Sequence, residues 1–356
     1  MAYSPPAQAV SGVYLTSLFI QQLQETLTMH TNNQEDTGIV FRKSLGHYTV
    51  HVNGRELDCV LSSLLHKQLI YPTADPTSLR RRVQDVREIE HVDPIAIGDQ
   101  VRFVDAGVDR GMITEILPRL SKLSRPATIP GKRVFEQVIV SNADMIIPVF
   151  AAASPTPKWG LLDRYLVTAE AAGLPVLIVI TKLDLLNGNH KLNDELSIYR
   201  NIGYPIHMVS SYTGEGIEEL KDILHGKTSV LIGKSGVGKT SLLNAIQPGL
   251  GLRVKEVSKG ELGKGRHTTT HLEMFDLDFG GSIVDTPGMR EFGLWNISED
   301  ELAYLFPEME EHVGKCKFGL SCQHDSEPGC AIRKAVMDGG ISPHRYKSYI
   351  NLRREL

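Results

Sequence analysis

Cysteine, net charge and long apolar runs are all scarce in this chain, and each scarcity excludes a class of protein. Four cysteines occur in 356 residues, three of them close together near the C-terminus, which argues against the disulfide framework of a small secreted domain. The apolar run from Val13 to Ile20 is too short to span a membrane, and no basic segment precedes it as in a signal peptide. The formal net charge is −4, so any nucleic-acid binding must come from local basic patches. A cytoplasmic protein without membrane association is expected.

A chain of 356 residues is longer than one hydrophobic core usually requires, so several domains are expected. Residues 1–36 show little periodicity and are interpreted as a mobile N-terminal tail. Residues 37–117 contain five short β-like runs, at 38–42, 48–52, 57–61, 100–104 and 111–117. Turn signals such as Asn53-Gly54 separate them, which is typical of a small closed β-barrel. A link rich in proline and basic residues follows at 118–133.

Strand-like and helix-like segments alternate between residues 134 and 294, which predicts a parallel sheet covered by helices. One of these helices is expected at 159–172, closed by Gly173. Residues 295–356 have a helical pattern interrupted by a segment with clustered cysteine and histidine. The predicted fold class is therefore multidomain α/β, with a barrel, a sheet covered by helices and a helical C-terminal domain in chain order.

A glycine-rich run lies between a strand-like and a helix-like segment, which is the context of a phosphate-binding loop. In such a loop, backbone N–H groups surround phosphate oxygens and the following helix N-terminus adds a favourable field. Lys239 is expected to reach the β and γ phosphates, and the Thr240 hydroxyl is expected to bind Mg²⁺. The alternative is a glycine-rich turn without a ligand. The predicted phosphate-binding residues are Gly233, Lys234, Ser235, Gly236, Val237, Gly238, Lys239, Thr240 and Ser241.

The tetrapeptide Thr181-Lys182-Leu183-Asp184 ends an apolar strand-like segment and is a guanine-reading pattern. The Asp184 carboxylate can accept two hydrogen bonds from the N1 and N2 edge of guanine, which adenine cannot donate. The Lys182 stem can lie along the face of the base. Ser210 and Ser211 follow another strand-like segment, where a backbone N–H can bind guanine O6. The alternative for these serines is a helix N-cap.

Two further segments complete the predicted nucleotide site. Asp285 follows a third apolar strand-like segment and is expected to bind Mg²⁺ through water, and the Gly288 N–H is expected to contact the γ phosphate. The run Gly265-Arg266-His267-Thr268-Thr269-Thr270 is glycine-rich and basic. Thr269 is the favoured Mg²⁺ ligand within it, with Thr268 and Thr270 as alternatives. His267 is a candidate for positioning the attacking water, and its alternative is a solvated side chain that contacts RNA or nothing.

The order of these motifs is unusual. The base-reading segment precedes the phosphate-binding loop here, whereas it follows that loop in ordinary guanine-nucleotide switches. All parts of a guanine-nucleotide site are present, but they are connected in a different order along the chain, which indicates a circular permutation.

A cluster of metal-ligand residues lies near the C-terminus, namely Cys316, Cys322, His324 and Cys330. Three thiolates and one imidazole suit tetrahedral zinc with no open position, which is typical of a structural site. The segment is too short and polar to build its own core, so a metal is expected to hold it together. The alternative is a set of free buried cysteines. Cys59, within a β-like run, is predicted to be a core residue.

Basic residues recur outside the predicted nucleotide site and are candidate contacts to nucleic-acid phosphates. For each of them the alternative is a solvated charge. The candidates are Arg80, Arg81 and Arg82 in the barrel region; Arg119, Lys122, Arg125, Lys132 and Arg133 in the link; Arg253, Lys255, Lys259, Lys264 and Arg266 in the 251–271 stretch; and Lys315, Lys317, His344, Arg345, Lys347, Arg353 and Arg354 near the C-terminus.

Taken together, the motif order, the run at 265–270, the Asp-Thr-Pro-Gly segment at 285–288 and the C-terminal cysteines resemble the RsgA (YjeQ/YloQ) family. Its members are circularly permuted GTPases that act on the small ribosomal subunit. The resemblance covers nearly the whole chain after residue 36. It implies an N-terminal OB-fold β-barrel, a circularly permuted P-loop GTPase domain and a C-terminal helical zinc-binding domain. It also implies Mg²⁺ bound with GTP, one structural zinc ion, and the small subunit with its rRNA as partner.

The function favoured by these observations is a monomeric GTPase that couples GTP hydrolysis to late maturation of the small ribosomal subunit. Met289 stands where many switch GTPases carry a glutamine that orients water. Hydrolysis by the isolated protein is therefore expected to be slow and to be stimulated by the subunit. One alternative is an RNA-binding chaperone that uses GTP mainly as a structural ligand. Another is a GTPase of small-molecule or metal transport.

Overall fold

The computed structural model of the chain describes residues 36–44, 46–65, 94–127, 135–186, 190–250, 272–286 and 294–356. Several predictions fall elsewhere. The N-terminal tail up to residue 35, the arginines at 80–82, and Lys132 and Arg133 of the link lie outside the described residues. So do the whole 251–271 stretch, with His267 and Thr269, and Gly288.

Five strands form a closed barrel, and their bounds lie close to the predicted β-like runs: β1 (Asp36–Ser44), β2 (His47–Val52), β3 (Arg55–Leu61), β4 (Gln100–Gly107) and β5 (Arg110–Ile116). The strands pair in the order β1-β2-β3-β5-β4, and β4 pairs again with β1, which closes the barrel. Alternate side chains fill the interior, and Cys59 is buried among them as predicted. Asn53 and Gly54 both have positive φ, as the tight turn between β2 and β3 requires.

A two-stranded hairpin connects the barrel to the next domain. β6 (Lys122–Ala127) pairs antiparallel with β7 (Phe135–Ser141). The sequence predicted residues 118–133 only as a basic link, so β6 corrects that interpretation. Pro126 and the charged side chains of β6 are not typical of a central strand, so the residue pattern did not predict a strand here. Such residues are common in edge strands, where one side of the backbone faces no partner strand.

Asp99 and Arg119 fasten the barrel to this hairpin. Asp99 is fully buried, and it accepts hydrogen bonds from Arg119 Nε at 2.6 Å and from Ser141 Oγ at 2.6 Å. The hydrogen bond to Asp99 raises the pKa of Arg119 above its usual value. Lys122 pairs in the same region with Glu136, its Nζ lying 2.7 Å from Oε1. Arg119, predicted as a candidate RNA contact, therefore has a structural role, because its charge is neutralised within the fold.

The central domain contributes six strands to the sheet: β8 (Met145–Ala151), β9 (Ile178–Thr181), β10 (Ile206–Met208), β11 (Thr228–Ile232), β12 (Glu273–Asp276) and β13 (Ser282–Asp285). Their order is β10-β9-β8-β11-β13-β12. The first five strands of this order are parallel, as predicted, and β12 is antiparallel to β13. β12 also pairs with β1, where Glu273 is opposite Arg42, so the sheet continues into the barrel.

Helices cover both faces of this sheet. β8 is buried along its whole length because its alternate side chains face opposite helix layers. Ile146 and Phe150 pack with α1 (Trp159–Ala172) and α2 (His190–Ile202), whereas Ile147 and Val149 pack with α3 (Ile217–Leu224) and α4 (Lys239–Ile246). The predicted helix 159–172 is confirmed as α1. It ends at Gly173, whose φ of 63° is the left-handed conformation common after a helix.

The C-terminal domain contains the short helices α5 (Pro307–Glu310), α6 (Ala331–Met337) and α7 (Pro343–Arg353). A small core that includes Phe306, Ile332 and Tyr349 holds them together. α7 begins after Ser342, whose hydroxyl accepts a hydrogen bond from the His344 N–H at 3.3 Å, as in an N-cap. Across the described parts of the chain, no helix combines the length and the apolar character needed to cross a bilayer.

A buried arginine joins the C-terminal domain to the central domain. Arg345 of α7 is fully buried. It donates to Asp163 Oδ1 of α1 at 2.7 Å and to Glu308 Oε1 of α5 at 2.7 Å. The Tyr199 hydroxyl of α2 also donates to Asp163 Oδ1, at 2.9 Å. Arg345, predicted as a candidate RNA contact, is therefore a structural residue, because two carboxylates surround it inside the fold.

Asp163 remains ionised in this buried position because of its neighbours. Burial would raise the pKa of Asp163, but the His344 imidazole, whose Nε2 lies 3.5 Å from Asp163 Oδ2, and the charge of Arg345 hold the pKa below its usual value. The nearby Asp163 carboxylate in turn raises the pKa of His344. His344 is thus a further predicted RNA contact that faces a protein partner.

Candidate nucleotide site and metal centre

Strands that carry the predicted site residues end at one edge of the central sheet. β9 ends at Thr181, β11 leads into Gly233, and β13 ends at Asp285, while Ser210 follows β10. All four strands run parallel within the sheet. Parallel strands present their carboxyl ends at the same edge. The motifs therefore meet there, although the base-reading segment comes first in the chain.

The phosphate-binding loop lies between β11 and α4, in the context that the sequence predicted. Gly236 and Gly238 have φ values of 85° and 99°, which L side chains rarely adopt. Lys239 Nζ donates hydrogen bonds to the Gly233 carbonyl and, at 3.4 Å, to the Lys234 carbonyl. The ammonium group therefore lies against the backbone of the loop, where such loops hold the β and γ phosphates of a nucleotide.

Asp285 lies beside this loop and fits a role in binding Mg²⁺. Thr286 Oγ1 donates to the Leu231 carbonyl at 2.9 Å, which holds the end of β13 against β11. Asp285 is buried, and its Oδ1 atom has no hydrogen-bond partner within the described residues. Burial raises the pKa of Asp285 and lowers that of Lys239, and the attraction between the two charges opposes both shifts. A buried carboxylate oxygen without a partner, next to a phosphate-binding loop, suits a Mg²⁺–nucleotide complex.

The base-reading segment and the phosphate-binding loop line a single cavity of about 270 Å³. One part of the lining comes from the turns after β9 and β10, and the other comes from the start of α4. The cavity thus joins a carboxylate that can read guanine to the loop that can hold phosphates. Its lining residues are Thr181, Lys182, Asp184, Leu185, Ser211, Tyr212, Gly238 and Ser241.

Ser210 orients the base-reading carboxylate. Its hydroxyl donates to Asp184 Oδ1 at 2.5 Å and accepts hydrogen bonds from the N–H groups of Tyr212 at 3.2 Å and Thr213 at 3.1 Å. The alternative interpretation of Ser210 as a helix N-cap is wrong, because α3 begins at Ile217 and its N-cap is Gly216. The serine instead closes a local turn that carries Ser211 into the cavity.

Thr181 and Lys182 tie β9 to the phosphate-binding loop. Thr181 is 1% exposed, and its hydroxyl donates to the Val237 carbonyl. Lys182 Nζ donates to the Gly236 carbonyl at 2.8 Å and to the Ser154 carbonyl. The Ser154 carbonyl is a partner that the sequence analysis missed, because a backbone atom leaves no signal in residue type.

Two lining residues were also missed by the sequence analysis. Leu185 and Tyr212 both face the cavity. Tyr212 directly follows Ser211 in the same turn, so its position next to a predicted site residue was the available signal. The structure brings Thr181, Lys182, Asp184 and Ser211 together with the loop. The individual roles of the predicted site residues stay predictions, and His267, Thr269 and Gly288 lie outside the described residues.

The four predicted metal ligands converge in the C-terminal domain. Cys316, Cys322, His324 and Cys330 are all buried, and their ligand atoms lie within 4.8 Å of one another. None of these cysteines, nor Cys59, forms a disulfide. His324 has a φ of 62°, which agrees with the loop-like spacing read from the sequence. The arrangement can hold one metal ion.

Hydrogen bonds around the cluster hold these ligands in place. The N–H groups of Ala331 and Arg333, in the first turn of α6, donate to Cys316 Sγ at 3.2 Å and to Cys330 Sγ at 3.4 Å. The Tyr346 hydroxyl of α7 donates to the His324 carbonyl at 2.7 Å. Donors to ligand sulfur atoms and anchors behind a ligand are typical supports of protein metal sites. The cluster of three cysteines and one histidine is thus part of the packing of α6 and α7.

Comparison with known proteins identifies the family of this chain. A family model described as RsgA GTPase matches residues 116–295. A protein from Gemmatimonas aurantiaca named small ribosomal subunit biogenesis GTPase RsgA is 46% identical over 267 residues, which cover 74% of this chain and 84% of that protein. A protein of the same name from Ectopseudomonas mendocina is 42% identical over 257 residues, which cover 72% of this chain and 73% of that protein.

Two solved structures resemble the whole architecture. YjeQ from Thermotoga maritima superimposes with a TM-score of 0.67 at 31% sequence identity, covering 90% of this chain and 98% of that one. YloQ, described as a circularly permuted GTPase, gives a TM-score of 0.62 at 27% identity, covering 92% of this chain and 96% of that one. These matches confirm the predicted fold class of an OB-like barrel, a circularly permuted P-loop domain and a helical C-terminal domain, in which a cluster of three cysteines and one histidine can hold a metal ion. The chain belongs to the RsgA GTPase family, and it is a GTP hydrolase.

Proposed function

We propose that this GTPase binds the small ribosomal subunit and its rRNA and couples GTP hydrolysis to late maturation of that subunit. The observation that carries the proposal is the shared cavity, in which Asp184 lies with the start of α4 and the phosphate-binding loop. The relatives' name, small ribosomal subunit biogenesis GTPase, supports the choice of partner. In this proposal the protein acts as a monomer in the cytoplasm.

Each residue of the site has a proposed role in binding GTP and Mg²⁺. Asp184 reads the N1 and N2 edge of guanine, and Ser210 keeps its carboxylate in place. Lys239 and the N–H groups of the loop bind the triphosphate. Thr240, Asp285 and Thr269 hold Mg²⁺, which when bound neutralises charge on the β and γ phosphates.

Hydrolysis by the isolated protein is proposed to be slow, because Met289 cannot orient water. His267 is proposed to position the water when the subunit is bound. We expect the rate of phosphate release to rise with small-subunit concentration until it saturates. His267→Ala is expected to lower the stimulated rate about 10²-fold with little change in affinity for GTP.

Single-turnover hydrolysis with and without purified small subunits measures both effects, and His312→Ala in the C-terminal domain serves as the control histidine variant. A wild-type rate that does not respond to small subunits would contradict the proposed function. A stimulated rate that is unchanged in His267→Ala would contradict only the role of that histidine.

We further infer that the metal is zinc. Typical Zn–S and Zn–N bonds at a tetrahedral centre place two sulfur atoms about 3.8 Å apart and a sulfur and a nitrogen about 3.5 Å apart. The Cys316 and Cys330 sulfur atoms are 3.9 Å apart. His324 Nδ1 lies 3.4 Å from Cys316 Sγ and 3.5 Å from Cys330 Sγ. These separations support zinc in a structural role.

Replacing one ligand tests this assignment. We expect the wild-type protein to contain about one zinc ion per chain and Cys322→Ser to contain far less, because three ligands bind zinc much more weakly than four. The midpoint of thermal unfolding is also expected to fall, since metal binding stabilises the folded segment. Elemental analysis and calorimetry measure the two effects. Cys59→Ala, which removes a buried thiol outside the cluster, is expected to keep its zinc; equal zinc in Cys322→Ser would refute the assignment.

A further inference from the structure

Tyr212 is an aromatic side chain that the fold leaves in solvent at the nucleotide site. It is 88% exposed, although it lines the same cavity as Asp184 and Lys182. The ring therefore adds little to the hydrophobic core. A flat aromatic ligand in the cavity would cover apolar surface that water now contacts.

The backbone of Tyr212 is linked to the base-reading carboxylate through the Ser210 hydroxyl. One hydroxyl, that of Ser210, donates to Asp184 Oδ1 at 2.5 Å and accepts from the Tyr212 N–H at 3.2 Å. The Tyr212 backbone and the Asp184 carboxylate are thus hydrogen-bonded to the same atom, Ser210 Oγ. A base that is read by Asp184 at its edge would occupy the cavity that Tyr212 also lines.

Lys182 supplies another ordered part of the same cavity. Its ammonium group is held by the carbonyls of Gly236 and Ser154, so its aliphatic stem is stretched towards the phosphate-binding loop. Asp184 offers the base hydrogen-bond acceptors, Lys182 offers methylene groups, and Tyr212 offers a π face. These are the contacts that a purine can satisfy with its edge and its faces.

We propose that Tyr212 stacks on the guanine base, and that it strengthens nucleotide binding without choosing the base. This inference rests on the proposed function in taking a guanine nucleotide as the ligand of the cavity. Stacking uses the π face, which guanine and hypoxanthine share. Asp184 uses the N2 amino group, which hypoxanthine lacks. The contributions of the two residues are therefore separable by comparing the two bases.

Calorimetric titration of the full chain with GDP and with inosine diphosphate tests the proposal. Tyr212→Ala is expected to raise the Kd for both nucleotides about tenfold, as loss of one base–aromatic stack does elsewhere. Tyr212→Phe keeps the ring and is expected to bind both within about twofold of wild type. Asp184→Ala is expected to lose more affinity for GDP than for inosine diphosphate.

The controls separate this inference from the proposed function. Tyr304→Ala removes another partly exposed tyrosine, in the C-terminal domain, and is expected to leave both Kd values unchanged. The thermal midpoint of nucleotide-free Tyr212→Ala is expected to equal that of wild type, since the ring is exposed. Failure of wild type to bind GDP would overturn the proposed function. Binding of GDP by Tyr212→Ala as tightly as by wild type, or a loss confined to GDP, would overturn the stacking role alone.

Discussion

GTP hydrolysis by the Lys239→Ala variant is expected to be about 10³-fold slower than by wild type at saturating small subunits. The ammonium group of Lys239 lies against the phosphate-binding loop in a partly buried position, and burial lowers its pKa. A charge in such a place interacts with phosphate oxygens far more strongly than it would in water. Without it, the charge that develops on the phosphates loses a fixed partner.

Single-turnover phosphate release measures this effect, and GTP-analogue titration shows whether binding is also lost. Lys227→Ala is the matched control, because Lys227 is an exposed lysine immediately before β11, the strand that leads into the loop. We expect its rate to equal that of wild type. A Lys239→Ala rate within about threefold of wild type would rule out the role assigned to the loop lysine.

The second large effect is expected on protein stability, when the buried Arg345 is removed. Arg345→Ala is expected to lower the free energy of unfolding by about 3–5 kcal/mol, since it leaves the carboxylates of Asp163 and Glu308 without their buried counter-charge. Arg345 is fully buried and has hydrogen bonds to both. Because these bonds join α7 to α1 and α5, we also expect the C-terminal domain to unfold in a separate, earlier transition. Chemical denaturation and differential scanning calorimetry measure these quantities.

Three companion variants make this prediction specific. Arg345→Lys keeps the charge but cannot bind both carboxylates in the same way, so an intermediate loss is expected. Arg345→Met combined with Asp163→Asn and Glu308→Gln removes all three charges and is expected to be more stable than Arg345→Ala. Arg354→Ala, at the exposed end of α7, is expected to change stability by less than about 0.5 kcal/mol. A loss for Arg345→Ala as small as that of Arg354→Ala would show that the network contributes no stability.

Much of the fold was predictable from local pattern. The five barrel strands and α1 lie close to or at their predicted bounds, because turn residues such as Asn53-Gly54 and the helix-ending Gly173 act through their own backbone conformations. β6 was not predictable in this way. Its proline and charged side chains suit a strand with one free edge, and whether a segment becomes such an edge depends on which partner the rest of the chain supplies.

The basic residues predicted as RNA contacts show the same limit of local pattern. Arg345 and Asp163 lie 182 positions apart in the chain, and Arg119 and Asp99 lie 20 apart. No local pattern distinguishes a lysine or arginine that faces solvent from one that pairs with a buried carboxylate. Burial and pairing are properties of the folded chain, so the predicted set of RNA contacts contained side chains that stabilise the protein.

By itself, the sequence determined the kinds of chemistry that this protein can perform. A glycine-rich loop with Lys239, a guanine-reading carboxylate and four clustered metal ligands are recognisable because residue type and short spacing already specify what they bind. Only the tertiary structure decided which of these parts meet. Parallel strands bring the base-reading turns and the phosphate loop to one edge, so Ser210 can orient Asp184 and Tyr212 can face the same cavity. Contacts of this kind depend on distances across the sheet, which are independent of distance along the chain.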